Sequence, residues 1–170
     1  GVIYFREPRE LLICTGPPYN KEDDPRLAAE VNSFKGKKIV MGATTGDIVS
    51  RELGLKIEDV FKFEDPELPP INVMEGIDLF TEGILTLNKV EKILKAYNPA
   101  NTKLGRGPAD EIVKLILESD AIKLIIGTRI NIAHQDPHLP VELEIRRTVV
   151  NRIAQLLEEK LLKKVVVNYI

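Results

Sequence analysis

The stretch Lys38-Ile39-Val40-Met41-Gly42-Ala43-Thr44-Thr45-Gly46 decides the fold. Its first half is a short apolar run without alternation, the pattern of a strand buried on both faces. Lys37 opens that strand, and Gly42 stops it. A helix then follows from about Asp47 to Leu53, with Gly54 as its C-terminal stop. A buried strand that runs through glycine into a helix is half of a βαβ unit, and the rest of the chain repeats the alternation.

Upstream, Leu11-Leu12-Ile13-Cys14 is a second buried strand, closed by Thr15-Gly16-Pro17-Pro18. Asp24 followed by Pro25 starts a helix with Leu27, Ala28, Val31 and Phe34 on one face, ended by Gly36. Downstream, Val60, Phe61 and Phe63 suggest a short edge strand, and residues 64–72 form a proline-bearing connector. Ile77-Asp78-Leu79-Phe80 reads as a strand ending in Thr81-Glu82-Gly83. Thr86 then caps a helix that turns Leu87, Val90, Ile93, Leu94 and Tyr97 to one side. A polar loop over 98–107 leads to a helix opened by Pro108, with Ile112, Leu115 and Ile116 inward. Ile122 to Ile126 is a strand, 129–140 a long loop, and Pro140 starts the longest helix, with Ile145, Val149, Ile153, Leu156 and Leu157 in register. Lys163 to Val167 closes the series as a strand. The order predicts a single α/β domain over residues 1–170: three layers, α/β/α, with a mostly parallel, Rossmann-like sheet of about five or six strands.

The composition fits that class. The 170 residues are 44% hydrophobic and 29% charged, enough to bury a core without a covalent staple. The net charge of -2 shows no basic excess for nucleic acid. One cysteine, Cys14, excludes a disulfide framework and points to a reducing compartment. No apolar run reaches the roughly 20 residues of a membrane span, and no signal peptide precedes the first strand, so the expected location is cytoplasmic. Sparse glutamine beside abundant Glu, Lys, Ile and Val leans toward a heat-tolerant source.

Four strand ends carry small or hydroxylated residues, and in an open parallel sheet these ends face one crevice. Thr15 and Gly16 follow the first strand; Gly42, Thr44, Thr45 and Gly46 follow the second. Glu82 and Gly83 follow the third, and Thr128 and Arg129 the fourth. The Gly42–Gly46 turn suits a small anion, because a glycine turn entering a helix leaves backbone N–H groups free beside two hydroxyls. The same residues also serve as a plain helix cap, since neither Walker nor Gly-x-Gly-x-x-Gly spacing is present. Glu82 reads either as an acid/base group or as a carboxylate favoured at the start of the next helix. His134 lies in the 129–140 loop with Gln135, Asp136 and His138; Pro137 separates the two histidines, and no third metal ligand stands at sensible spacing. Cys14 reads as a small buried hydrophobe. No cofactor is named by any motif.

Several strings together carry a family resemblance. They are Thr15-Gly16-Pro17-Pro18 with Glu22-Asp23-Asp24, Lys38 to Val49, Glu75 to Leu87, and Ile130-Asn131-Ile132-Ala133-His134-Gln135-Asp136-Pro137-His138-Leu139-Pro140. From about Pro8 to Tyr169 the chain resembles the C-terminal region of bacterial proteins related to the stage II sporulation protein E phosphatases. The resemblance implies an appended domain beside a metal-dependent phosphatase domain, whose metal-binding aspartates find no match here. The chain departs from the pattern at Met41 and Ala43, where cysteine and glycine are expected. Three function classes follow. One is a non-catalytic sensor that binds a small anion and modulates an attached or associated phosphatase. Another is a small hydrolase or transferase using Glu82 or His134. A structural module that forms homo-oligomers through a helix face is a third class.

Overall fold

Alternate residues of the first strand point to opposite faces, and each face has its own core. The computed structural model describes residues 1–60, 62–129 and 142–170, with backbone alone for 142–144. In β1 (Glu10–Thr15), Leu11 and Ile13 join one apolar cluster while Leu12 and Cys14 join the other. The period of two is what a strand imposes on a sheet covered on both sides. The same division runs through β2 (Lys37–Met41), where Ile39 and Met41 oppose Val40.

Three further strands complete the sheet: β5 (Leu79–Thr81), β6 (Ala121–Ile126) and β7 (Lys164–Tyr169). The order is β5-β2-β1-β6-β7, parallel throughout. Chain order reverses between β1 and β6, so the two strands send their connections to opposite faces. Leu27 and Val31 of α1 (Asp24–Ser33) and Ile48 and Val49 of α2 (Ala43–Leu53) cover one face. The other carries α3 (Ile84–Ala96), α4 (Pro108–Glu118) and α5 (Glu142–Gln155), the last running on into a π-helical turn at Leu156–Lys160. The architecture is a three-layer, Rossmann-like α/β/α fold with five strands in its main sheet. Among the described residues no helix is long and apolar enough to cross a membrane.

The structure moves several expected boundaries. Helix α2 begins at Ala43 rather than near Asp47, because Gly42 makes the turn alone at φ 94° and Thr44, Thr45 and Gly46 are already helical. No edge strand forms at Val60 and Phe63, and Phe61 lies outside the described residues. The two-stranded pairing falls instead on β3 (Ile57–Glu58) and β4 (Val73–Met74), on either side of a connector whose prolines lack N–H groups. The third sheet strand starts at Leu79, since the Ile77 amide is spent on a turn to the Met74 carbonyl. Gly83, not Thr86, caps α3, and Thr86 is buried in its first turn. The last strand runs Lys164–Tyr169 because the Lys163 amide bonds back to Leu157. The proposed helix start at Pro140 lies outside the described residues.

Candidate functional site

The tips of four strands are sewn together beyond the ends of the ladder. The Gly127 amide donates to the Thr15 carbonyl at 2.8 Å, the Arg129 amide to Pro17 at 3.1 Å, and the Gly42 amide to Thr81 at 2.8 Å. From the side, the Gly16 amide donates to Thr45 Oγ1 at 2.8 Å. Loops from distant parts of the chain are thereby held in one rim on the C-terminal edge of the sheet, where ligands of open α/β sheets bind.

A cavity of about 170 Å³ opens in that rim. Of the residues singled out from sequence, Thr15, Gly16, Gly42, Thr44, Thr45, Glu82, Gly83 and Arg129 line it. Two do not. Gly46 faces away, packed so tightly on Phe80 that a Cβ there would stand 2.2 Å from the ring. The Thr128 hydroxyl is turned to the Ile170 carbonyl at 2.9 Å. His134 lies outside the described residues.

Two helix N-termini meet in the cavity. The first intrahelical bond of α2 is Gly46 N–H to Gly42 O, and that of α3 is Leu87 N–H to Gly83 O. The amides preceding each bond are the orphan donors of a helix start. Gly42 and Gly83 are in contact, for a Cβ on Gly83 would lie 3.4 Å from the Gly42 Cα. The partial positive ends of two helix dipoles are therefore superposed.

Two arginines add full charges. Arg129 is held from behind: Nε donates to the Tyr19 carbonyl and a terminal nitrogen to Asp24 Oδ1 at 3.0 Å. Asp24 is 4% exposed at the start of α1, and it also receives Arg51 of α2 at 2.8 Å. Arg146 reaches the cavity from α5 and is only 8% exposed. Its guanidinium lies against Gly16, where a Cβ would stand 2.7 Å from a terminal nitrogen, and it donates to the Gly127 carbonyl at 3.4 Å. Gly16 has φ 84° as well, and an added Cβ would stand 2.8 Å from the Gly127 carbonyl, so the turn and the neighbouring backbone require glycine there.

Sequence reasoning missed Arg146. A signal existed: Arg146 stands three and four residues before Val149 and Val150, which puts a charge in the inward register of an amphipathic helix. A guanidinium at such a position needs partners or a ligand.

Among the described residues, Glu82 is the carboxylate that lines the cavity. Its Oε2 is buried, and among the described residues it has no hydrogen-bond partner. A buried acceptor left unpaired is uncommon and costly. Cys14, one residue before Thr15, takes no part. It is fully buried, and burial pushes its thiol up to about 12, far from a reactive thiolate. Among the described residues no group of three His, Cys, Asp or Glu side chains is arranged to hold a metal ion.

No family model, no curated protein and no solved structure matches the chain, so the reading of its function rests on this site.

Proposed function

We propose that the chain is a sensor or regulatory domain that binds a small anion in the crevice at the strand tips. The observation that carries this reading is the convergence of two helix N-termini with Arg129 and the buried Arg146 on one cavity. Helix starts and guanidinium groups are the two commonest ways to hold phosphate or carboxylate. The partner proposed for the domain, an attached or associated phosphatase, rests on the family resemblance alone.

Thermal unfolding in rising concentrations of inorganic phosphate, at constant ionic strength, tests the reading. At a hundred times Kd a specific ligand adds about 2.7 kcal/mol. For a chain of this size that is a rise of roughly 5–10 °C in Tm. Arg129→Gln should abolish most of the rise. No response to phosphate, sulfate or small carboxylates would remove the proposal.

One observation favours a second reading. The unpaired Oε2 of Glu82 is where a general base would stand, which suits a small hydrolase or transferase acting on a phosphorylated or carboxylated substrate. Turnover of a phosphoester that disappears in Glu82→Gln supports it.

A further inference from the structure

The crevice does not end at Glu82. A second cavity, of about 330 Å³, lies directly beside it and shares Ala43 and Glu82 as walls. Its character is different. Val60, Pro69, Pro70 and Phe80 line it, so its surface is largely apolar where the crevice is polar. The connector that supplies the two prolines is pinned in place. Leu68 is 5% exposed in the core, and Asp65, 7% exposed, accepts Lys89 Nζ at 2.6 Å and the Glu67 amide at 2.9 Å. The side cavity is therefore a preformed part of the fold.

Three chemistries thus adjoin one another: cationic groups and helix starts, the Glu82 carboxylate that both cavities share, and a largely apolar recess. Resting on the anion reading above, we propose that crevice and side cavity form one bipartite site for a phosphate ester. Its organic part carries a hydroxyl near the phosphate and an apolar ring beyond. Nucleoside monophosphates meet that description. The phosphate sits on the first turn of α2 between Arg129 and Arg146, the hydroxyl donates to the Glu82 carboxylate, and the ring passes Ala43 into the recess under Pro69 and Pro70. Inorganic phosphate alone leaves the Glu82 oxygen and the recess unused.

The role of Glu82 makes the proposal sharp, because its two effects have opposite signs. Its negative charge repels a bare anion, and its oxygen attracts a hydroxyl. Calorimetric titration of inorganic phosphate, ribose 5-phosphate and AMP into the chain, at one ionic strength, reads both effects. We expect affinity to rise in that order, with AMP about thirtyfold tighter than ribose 5-phosphate, the gain a buried ring brings. Glu82→Gln should weaken ribose 5-phosphate and AMP about tenfold, the loss of one charge-assisted hydrogen bond, while phosphate binds as well or better. Ala43→Phe, at an exposed position that accepts a larger side chain, should cancel the advantage of AMP over ribose 5-phosphate.

If phosphate binds and AMP binds no tighter, the bipartite site is overturned and the anion crevice stands. If AMP binds tightly but neither substitution touches it, its ring lies elsewhere and the proposal is likewise overturned. If none of the three binds, both readings fall. The series on the unaltered chain decides the main point without depending on how well either variant folds.

Discussion

Thr45 Oγ1 accepts the Gly16 amide at 2.8 Å, and this bond fastens the first turn of α2 to the loop leaving β1. Thr45 is 1% exposed, so neither partner has water to fall back on. Thr45→Val keeps the shape and orphans the Gly16 N–H. The expected cost is about 1–3 kcal/mol, or a fall of roughly 2–10 °C in Tm. Thr45→Ser should cost far less. Differential scanning calorimetry of the pair checks the prediction, and a loss in Thr45→Ser with none in Thr45→Val would show that the methyl group, not the hydrogen bond, matters here.

Gly42 and Gly46 stand four residues apart and are required for different reasons. Gly42 has φ 94° but room around it, with nothing closer than 3.7 Å to an added Cβ. Gly46 is helical, but an added Cβ would meet Phe80 at 2.2 Å. Gly42→Ala should cost about 1–3 kcal/mol through backbone strain that no neighbour relieves. Gly46→Ala should cost about as much through overpacking, and Phe80→Leu in the same chain should recover part of it. A double-mutant cycle by urea denaturation measures the coupling. Coupling between Gly46→Ala and Phe80→Leu, and none between Gly42→Ala and Phe80→Leu, is the expected outcome.

The same two glycines show how much of the molecule could be read from its sequence. Strands at 11–14, 37–41 and 122–126 were legible because each holds a short apolar run without alternation (Leu11 to Cys14, Ile39 to Met41, Leu124 to Ile126), the pattern of a sheet covered on both faces. Eight of the crevice residues were legible because strand-end position alone determines them in such a sheet. Gly46 was misread, since glycine at a turn and glycine under a phenylalanine leave the same letter. The inward register of Arg146 could be read from Val149 and Val150, but its destination could not, because its neighbours Gly16 and Gly127 lie more than a hundred and nearly twenty positions away, respectively. The recess beside Ala43 was invisible for a similar reason: residues 64–72 read only as a proline-bearing connector, whereas Leu68 and Asp65 are buried and hold it against the core.

Asp120, just before β6, gathers the N-terminal segment. It takes the Arg6 guanidinium with one contact at 2.7 Å, the Arg9 amide at 2.8 Å and the Arg9 side chain at 3.4 Å. The Arg6 guanidinium first, then the Arg9 amide and side chain, hold its carboxyl well below the usual carboxylate range. A carboxylate depressed in the folded state contributes stability that is fully present above its unfolded pKa, near 4, and is lost as pH falls toward the folded value. Asp120→Asn should therefore lower the urea midpoint at pH 7, and the gap to the unaltered chain should close as the pH drops below about 4. A gap that persists unchanged at pH 2 would mean the amide at 120 fails for steric reasons, not electrostatic ones.

Asp24 separates two accounts of Arg129. If Arg129 serves the crevice only as a diffuse positive charge, removing the Asp24 carboxylate that neutralises it should strengthen anion binding. If the guanidinium must be aimed, losing the 3.0 Å contact to Asp24 should weaken binding although the crevice becomes more positive. The geometry argues for aim. Arg129 is gripped at both Nε and a terminal nitrogen, and Asp24 is itself buried and steadied by Arg51, an arrangement that fixes direction at the cost of local field. Asp24→Asn is therefore expected to weaken phosphate binding about fivefold, on the order of 1 kcal/mol. Because the substitution makes the crevice more positive, the salt dependence of binding should steepen even as affinity at fixed salt falls, and that combination separates orientation from charge. Tighter binding in Asp24→Asn would overturn the aimed-arginine account.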